Sequence, residues 1–172
     1  MKKIWMIAAA AALLMTVTAC GAGDVGGVSS KSASSTSAVS SAPAMRQSSV
    51  SDSLKGLQTY LTGNGVLSGD ATEMRADVIG AKDGVRYQFS YNGKNNVTAE
   101  FYEYKVGSLN STAQEVLNSV KKNGKFTLMG QQMNASLSDS GKYLMIYKDS
   151  VSKQENQAYA DKVLKLFKSF KS

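Results

Sequence analysis

The chain has 172 residues, a formal net charge of +7 at neutral pH, and no histidine. The absence of histidine excludes serine or cysteine catalysis assisted by an imidazole, and it excludes most zinc, copper and non-haem iron sites. A single cysteine has no partner in the chain for a disulfide, so a folded domain has to be stabilised by its core alone.

The first twenty residues have the pattern of an export signal. Lys2 and Lys3 give a positively charged start, and an uncharged, largely apolar run follows from Ile4 to Val17. A membrane-spanning helix needs about 20 apolar residues, so this run is too short to span a bilayer well. A charged start, a short apolar stretch and small residues before a cleavage point are typical of a signal peptide.

The only cysteine, Cys20, ends this segment and follows Val17, Thr18 and Ala19. The tetrapeptide resembles the lipobox of bacterial lipoproteins, in which a branched aliphatic residue and two small residues precede the cysteine. The resemblance implies that residues 1–19 are a signal peptide that is removed. It also implies that the Cys20 thiolate, a strong nucleophile, accepts a diacylglyceryl group as a thioether. The alternative is an ordinary secretory signal with an accidental cysteine.

A diacylglyceryl group would anchor the chain firmly, because two acyl chains hold a protein at a bilayer whereas one binds reversibly. The expected location is therefore the extracytoplasmic face of the cell membrane. Residues 20–50 are predicted to be the lipidated cysteine and a disordered linker, since Ser, Ala and Gly dominate this stretch. A flexible coil of this length spans roughly 30 Å. A single folded domain is expected over residues 51–172.

Two helices are predicted at the start of this domain. A stripe of leucines predicts the first near residues 53–62, with Gly63 as its end. A second, short helix is predicted over residues 70–80, because Asp70 and Glu73 have the spacing of a capping box.

Two strand pairs and two further helices follow along the chain. Residues 85–91 alternate in polarity and are predicted to pair with residues 97–106 across a turn. The segments "KFTLMGQQMNASL" and "KYLMIY" are predicted to form a second pair around "SDSG". Helices are predicted over residues 111–124, capped by Ser111 or Thr112, and from a Ser152–Glu155 capping box onward.

The order of these elements favours an α+β fold. We expect an antiparallel sheet of about four strands in two hairpins, packed on one face against about three to four helices.

No motif for catalysis, for a cofactor or for a metal is found in the domain. Phosphate-binding glycine motifs and the oxygen-rich calcium loop are both absent. Glu100 and Glu103 lie three residues apart on a predicted strand, so they should point to opposite faces. The domain is predicted to be non-enzymatic and to bind neither a cofactor nor a metal. The alternative is a small lipid-anchored hydrolase without histidine, for which a serine–lysine pair stays formally open.

Two tyrosines on a predicted strand form the first candidate binding surface. Tyr102 and Tyr104 are opposite in phase to Phe101, so both face outward if Phe101 lies in the core. Tyrosine is enriched at interfaces, but it is also an ordinary residue of half-buried strands.

Lysines on the final helix form the second candidate surface. Lys162, Lys165 and Lys168 recur at every third position. One interpretation is a contact with anionic envelope material, either phospholipid head groups or an anionic wall polymer. The other is a solvated helix face whose lysines complement the helix dipole. An envelope protein is a further candidate partner, whereas nucleic acid does not fit an exported chain.

A second resemblance concerns the segment "IGAKDGVRYQFSYNGKNNVTAEFYEY", residues Ile79 to Tyr104. It is similar to small uncharacterised lipoproteins of Gram-positive bacteria, which place an Ile-Gly-Ala step before a hairpin that ends in a Glu-aromatic strand. This resemblance implies no activity. The overall prediction is a membrane-anchored cell-surface lipoprotein whose domain is a non-enzymatic binding or interaction module of the envelope.

Overall fold

Residues 44–172 are described by a computed structural model. The predicted signal peptide, Cys20 and most of the predicted linker lie outside these residues. The α-helices and strands of the described part are, in chain order, α1 (Leu54–Gly63), β1 (Thr72–Glu73), β2 (Asp83–Phe89), β3 (Val97–Glu103), α2 (Ser111–Asn123), β4 (Lys125–Leu128), β5 (Gln131–Asn134), β6 (Ser136–Leu137), β7 (Tyr143–Asp149) and α3 (Gln154–Lys168).

The strands form one five-stranded antiparallel sheet and one separate hairpin. The sheet has the order β1-β2-β3-β7-β6, and β4 pairs only with β5. The central strand β3 pairs along its whole length with β2 on one side and with β7 on the other. The prediction of an α+β fold built on an antiparallel sheet is confirmed, although this part of the chain has more strands than the four expected.

Two apolar clusters cover the two faces of this sheet. The first lies beneath α1 and α3 and includes Leu57, Leu61, Phe101, Tyr143, Val163, Phe167 and Phe170. The second lies beneath α2 and includes Ile79, Tyr102, Tyr104, Val116, Val120, Leu144 and Ile146. The expectation that helices would cover only one face is wrong. Strand β3 is buried at every position except Thr98, which is half-buried, and a strand buried on both sides needs cover on both.

The segment predicted as a helix over residues 70–80 is only partly helical. Thr72 and Glu73 pair with β2 as its edge strand, and a short 3-10 helix follows over Ala76–Ile79. The predicted capping box is therefore absent, and both of its acidic side chains are exposed. The extended edge satisfies backbone groups of β2 that a helix at this place would leave unpaired.

The second predicted strand pair also differs from the prediction, because its first segment forms three short strands, β4, β5 and β6, instead of one. Strands β4 and β5 pair with each other across Met129 and Gly130, which both have positive φ angles of 49° and 78°. Two left-handed central residues define a type I′ turn, the tightest common hairpin connection. Only the two residues of β6 then pair with β7.

The caps of the two later helices differ from the predicted ones. The side chain of Asn110, rather than Ser111 or Thr112, caps α2 by accepting a hydrogen bond from the backbone N–H of Ala113 at 2.8 Å. Helix α3 begins after Lys153 with no side-chain cap, so the predicted Ser152–Glu155 box is not formed.

The domain begins before residue 51. Met45 and Val50 pack against the first cluster. The backbone N–H of Lys171 donates to Oε1 of Gln47, and its Nζ donates to the carbonyl of Val50, each at 2.6 Å. The predicted linker boundary at residue 50 is therefore too late, because the segment from Met45 onward belongs to the folded unit.

Replacing Gly80 by alanine should destabilise the domain strongly. Gly80 has a φ of +72°, and a Cβ there would lie 2.5 Å from the backbone nitrogen of Ala113 at the start of α2. The left-handed conformation costs an alanine about 1–2 kcal/mol, and overpacking typically adds about 1–3 kcal/mol. Urea unfolding followed by circular dichroism should therefore show a loss of about 2–5 kcal/mol.

Gly65→Ala is the matched control, since Gly65 has a φ of +67° but no atom within 4 Å of a Cβ. This variant should lose only the conformational part, about 1–2 kcal/mol. Equal losses in the two variants would contradict the close packing of Gly80 on α2.

Candidate functional site

Tyr102 and Tyr104 share the face opposite Phe101, as their phase predicts, but that face is not open to solvent. They are 5% and 1% exposed, and both lie in the second cluster. The prediction that they form an exposed binding surface is wrong because α2 covers this face of the sheet. Their hydroxyls donate to Oε2 of Glu100 at 2.8 Å and to the carbonyl of Ile79 at 3.3 Å. Burial raises the pKa of both tyrosines.

Glu100 is a buried carboxylate on the α2 side of β3. It accepts hydrogen bonds from Nε and Nη2 of Arg86 at 2.9 Å and 2.6 Å, and from the hydroxyl of Tyr102. Both guanidinium nitrogens donate to Oε1 and the phenol donates to Oε2, so each oxygen of this carboxylate is hydrogen-bonded. Glu100 is therefore engaged in holding β2 against β3.

Glu103 is buried on the other face, which confirms that the two glutamates point in opposite directions. Its Oε2 accepts from the backbone N–H of Leu54 at 2.9 Å, in the first turn of α1, where the helix dipole favours a negative charge. The Nζ of Lys142 lies 3.3 Å from its Oε1, and the Nζ of Lys82 lies 3.7 Å from its Oε2. Glu103 thus ties the start of α1 to the sheet.

A cleft of about 620 Å³ opens beside Glu103, and several of its charged groups are paired. Arg75 binds Asp77 at 2.8 Å and Lys82 binds Asp83 at 2.9 Å. Across residues 44–172 no side chains group as metal ligands, and no serine hydroxyl is hydrogen-bonded to a lysine amine. The cleft contains these two ion pairs together with Lys55 and Glu73, which form no salt bridge with another described residue.

The three lysines predicted as a contact surface lie exposed on α3, and we call them the α3 lysine surface: Lys162, Lys165 and Lys168. None of them forms a salt bridge with another described residue. They face outward because Val163 and Phe167 turn the opposite side of the helix into the first cluster.

A groove beside α3 shares Lys168 with this surface and reaches the end of α2. One part of it, the lysine compartment, has a volume of about 560 Å³ and is lined by Lys121 of α2, Lys168 of α3, Asp139 and a loop with Ser138 and Ser140. The structure therefore brings together two lysines that lie far apart in sequence, each at the end of its own helix.

The second part of the groove, the apolar compartment, has a volume of about 330 Å³. Its main lining is Met145 and Tyr147 of β7 with Ala160, Asp161 and Leu164 of α3. Both compartments are bordered by Gly124, Ala135 and Ser136. The groove thus joins an apolar region to a basic one.

The hydroxyl of Tyr147 is shielded from solvent and has no hydrogen-bond partner among the described residues. Burial raises the pKa of this hydroxyl, with a smaller contribution from the negative charge of Asp149, so it stays a neutral donor. Buried polar groups in native proteins are almost always paired, and an exception calls for a physical explanation.

Sequence reasoning identified the lysines of α3 but not the groove beside them. Lys121 belongs to a short basic cluster with Lys122 and Lys125, but nothing local places it near α3, and a strand tyrosine such as Tyr147 is ordinary. Their positions relative to each other depend on β6, a two-residue strand that contacts both α2 and α3 and cannot be detected by periodicity.

Comparison of the chain with protein-family models, with curated proteins and with solved structures gives no match. Within residues 44–172 no helix is both long enough and apolar enough to cross a bilayer. Function has to be argued from the residues themselves.

Replacing Tyr104 by serine should lower stability rather than act on a surface contact. The side chain is 1% exposed, and deleting a buried aromatic typically costs about 3–5 kcal/mol. Tyr104→Phe is the matched control, which loses only a long hydrogen bond and about 1 kcal/mol. Thermal unfolding should separate the two variants by well over 5 °C. A serine variant as stable as the native chain would show that the α2 side of the sheet is open.

Proposed function

We propose that the chain is a lipid-anchored surface lipoprotein whose folded domain is a non-enzymatic module that contacts anionic material of the cell envelope. The anchor is supported by the lipobox resemblance at Cys20, which lies outside the described residues. The contact is supported by the α3 lysine surface, whose three ammonium groups are exposed and free of salt bridges among the described residues.

The position of these lysines favours a contact over simple dipole compensation. The dipole acts within the last turn of a helix, which accounts for Lys165 and Lys168. It does not account for Lys162, which lies further from the helix end, whereas Lys121 lies in the last turn of α2 and complements the dipole of that helix. An exposed lysine outside the last turn of α3 therefore needs a second explanation, and an anionic surface provides it.

The expected contact is weak and depends on the anchor. Each lysine near an anionic membrane contributes about 1 kcal/mol, so three contribute about 3 kcal/mol. That free energy orients a tethered domain but would not retain a free one at micromolar concentration. The contact should also weaken as salt shortens the electrostatic range, which is about 10 Å at 0.1 M ionic strength.

Replacing Cys20 by serine should release the chain from the membrane fraction or leave its signal uncleaved, because serine cannot carry the thioether-linked lipid. Detergent phase partitioning and the apparent mass on a gel measure the two effects. Thr18→Ser keeps a small residue before the cysteine and should leave both unchanged. Mature, detergent-partitioning protein in the Cys20→Ser variant would contradict the anchor.

Replacing Lys162, Lys165 and Lys168 together by glutamine should weaken binding to anionic vesicles. The assay is vesicle sedimentation at low salt and about 10 mM accessible lipid, where a contact of about 3 kcal/mol binds a measurable fraction of a free domain. The chain starts at residue 20 and carries Cys20→Ser, so that no lipid anchor contributes. A loss of about 3 kcal/mol corresponds to a drop in the partition coefficient of about 100-fold. Vesicles of phosphatidylcholine alone should bind neither protein.

The matched control replaces Lys94, Lys105 and Lys148 by glutamine. These lysines are exposed on other elements, so the change in net charge is the same. Circular dichroism should show that both variants are folded. Equal weakening in the two variants would mean that only net charge matters, and the α3 lysine surface would lose its role.

A further inference from the structure

The segment before α1, residues 45–50, is held against the domain by specific contacts, and we call it the exit segment. Asn64, at the end of α1, donates from its Nδ2 to the carbonyl of Met45 at 3.0 Å. The side chain of Met45 packs so closely on Gly63 that a Cβ there would lie 2.7 Å from the methionine sulfur. Together with the hydrogen bonds from Lys171 described above, these contacts fix the course of the segment.

The exit segment decides where the chain leaves the folded unit. Helix α1 begins after Ser53, whereas Met45 is bound at Asn64, beyond the other end of the same helix. A helix of ten residues is about 15 Å long. Without these contacts the chain would leave the domain at the start of α1. The exit segment therefore shifts the exit point by about 15 Å along this helix.

The exit point lies at the α3 lysine surface. Ala44, the first described residue, lines a hollow of about 580 Å³ together with Lys162 and Lys165. The described lining of this hollow contains no acidic residue. Arg46, in the exit segment, is exposed and adds a further positive charge near the exit. The domain is thus basic at the place where the chain continues toward Cys20.

The length of chain between the anchor and the exit point limits what the anchored domain reaches easily. The 24 residues from Cys20 to Pro43, expected from their composition to form a flexible coil, would span roughly 25–30 Å. A domain of this size has a radius of gyration of about 14 Å, so its far side lies roughly 30 Å from the exit point. Electrostatic attraction extends only about 10 Å at 0.1 M ionic strength. Head groups around the anchor are therefore most accessible to the surface beside the exit.

The strength expected for the contact suits a partner that is already attached to the chain. A contact of about 3 kcal/mol corresponds to a Kd of several millimolar. A short flexible tether gives an effective concentration in the same millimolar range. About half of the anchored domains would then be docked at any moment. A wall polymer that is not attached to the chain would have no such advantage.

We propose that the exit segment holds the tether beside Lys162 and Lys165, so that the lipid anchor presents the α3 lysine surface to the anionic head groups of its own membrane. The exit segment is then a positioning element, and the partner is the bilayer in which Cys20 is anchored. This inference rests on the proposed function and deepens it, because it names the partner and explains how the domain is oriented toward it.

The reactivity of individual lysines on vesicles tests this orientation. The chain from residue 20 onward is coupled through Cys20, its only cysteine, to a maleimide lipid. A brief pulse of an acetylating ester, followed by peptide mass spectrometry, reports on each amine. Lys162 and Lys165 should react about two-fold more slowly on vesicles with phosphatidylglycerol than on pure phosphatidylcholine, because about half of the domains are docked. Lys94 and Lys148 should react equally on both.

A second attachment point is the matched control for the position of the tether. The variant Cys20→Ser with Asn118→Cys is coupled through an exposed residue of α2, which covers the opposite face of the sheet from α3. The lysines and the vesicles are the same, but the α3 lysine surface is directed away from the bilayer. Phosphatidylglycerol should then no longer slow the acetylation of Lys162 and Lys165.

The variant Met45→Ser with Gln47→Ala tests the exit segment itself. It removes the packing on Gly63 and the acceptor for the backbone N–H of Lys171. When this variant is coupled through Cys20, the two-fold slowing should be lost, although circular dichroism should show a folded domain. Ser48→Ala is the matched control, since Ser48 is exposed within the same segment, and it should keep the slowing.

Four results would overturn the proposal. They are equal acetylation on both kinds of vesicle, equal slowing with both attachment points, unchanged slowing in the Met45→Ser, Gln47→Ala variant, and the same slowing by soluble polyphosphate over phosphatidylcholine. The last result would assign the surface to an anionic polymer. Any of them, with lysine-dependent sedimentation of the unanchored chain intact, would remove this inference and leave the proposed function. Loss of lysine dependence in that sedimentation would instead remove the proposed function.

Discussion

The double burial of β3 is the constraint on which the rest of this domain depends. A strand whose side chains are buried on both faces needs two apolar layers, and the chain supplies them with α1 and α3 on one side and α2 on the other. Phe101 and Tyr102 are adjacent in sequence yet belong to different clusters. The loss of cover on either side would expose a large apolar surface.

Polar contacts at the two ends of β3 fix the helices of the first layer. At one end Glu103 holds the first turn of α1. At the other, Asn96 donates to Oδ1 of Asp149 and Asn156 of α3 donates to its Oδ2, each at 2.7 Å. Burial alone would raise the pKa of Asp149, but these donors and the N–H of Val151 outweigh it and hold the pKa below its usual value. The position of α3, and hence of its lysines, follows from this network.

Periodicity predicted the elements that are long and amphipathic, and it failed where structure depends on distant contacts. The sequence pattern alone was sufficient to predict α1, α2 and the β2–β3 hairpin. Each of these elements contains several helical turns or several alternations of polar and apolar residues. Strand β1 has two residues and no period, and it exists only because β2 offers an edge. Tyr102 and Tyr104 were placed on the correct face, but no local feature shows that α2 returns to cover it. The turn at Met129 was missed because a methionine seldom adopts a left-handed conformation.

Helix α3 links the core of the domain to its candidate site. Val163 and Phe167 are fully buried against the sheet, so the rotation of the helix is fixed, and Lys162, Lys165 and Lys168 are directed to solvent as a consequence. The same rotation places Leu164 over the apolar compartment beside Tyr147. The other deeply buried polar side chains of the domain, including Asn96, Asn156, Glu100 and Glu103, all have hydrogen-bond partners. Among the described residues, the hydroxyl of Tyr147 is the exception, since no protein group accepts a hydrogen bond from it. Its pKa is raised by burial and, to a smaller extent, by Asp149, Tyr159 and Tyr91, so this hydroxyl stays protonated among them.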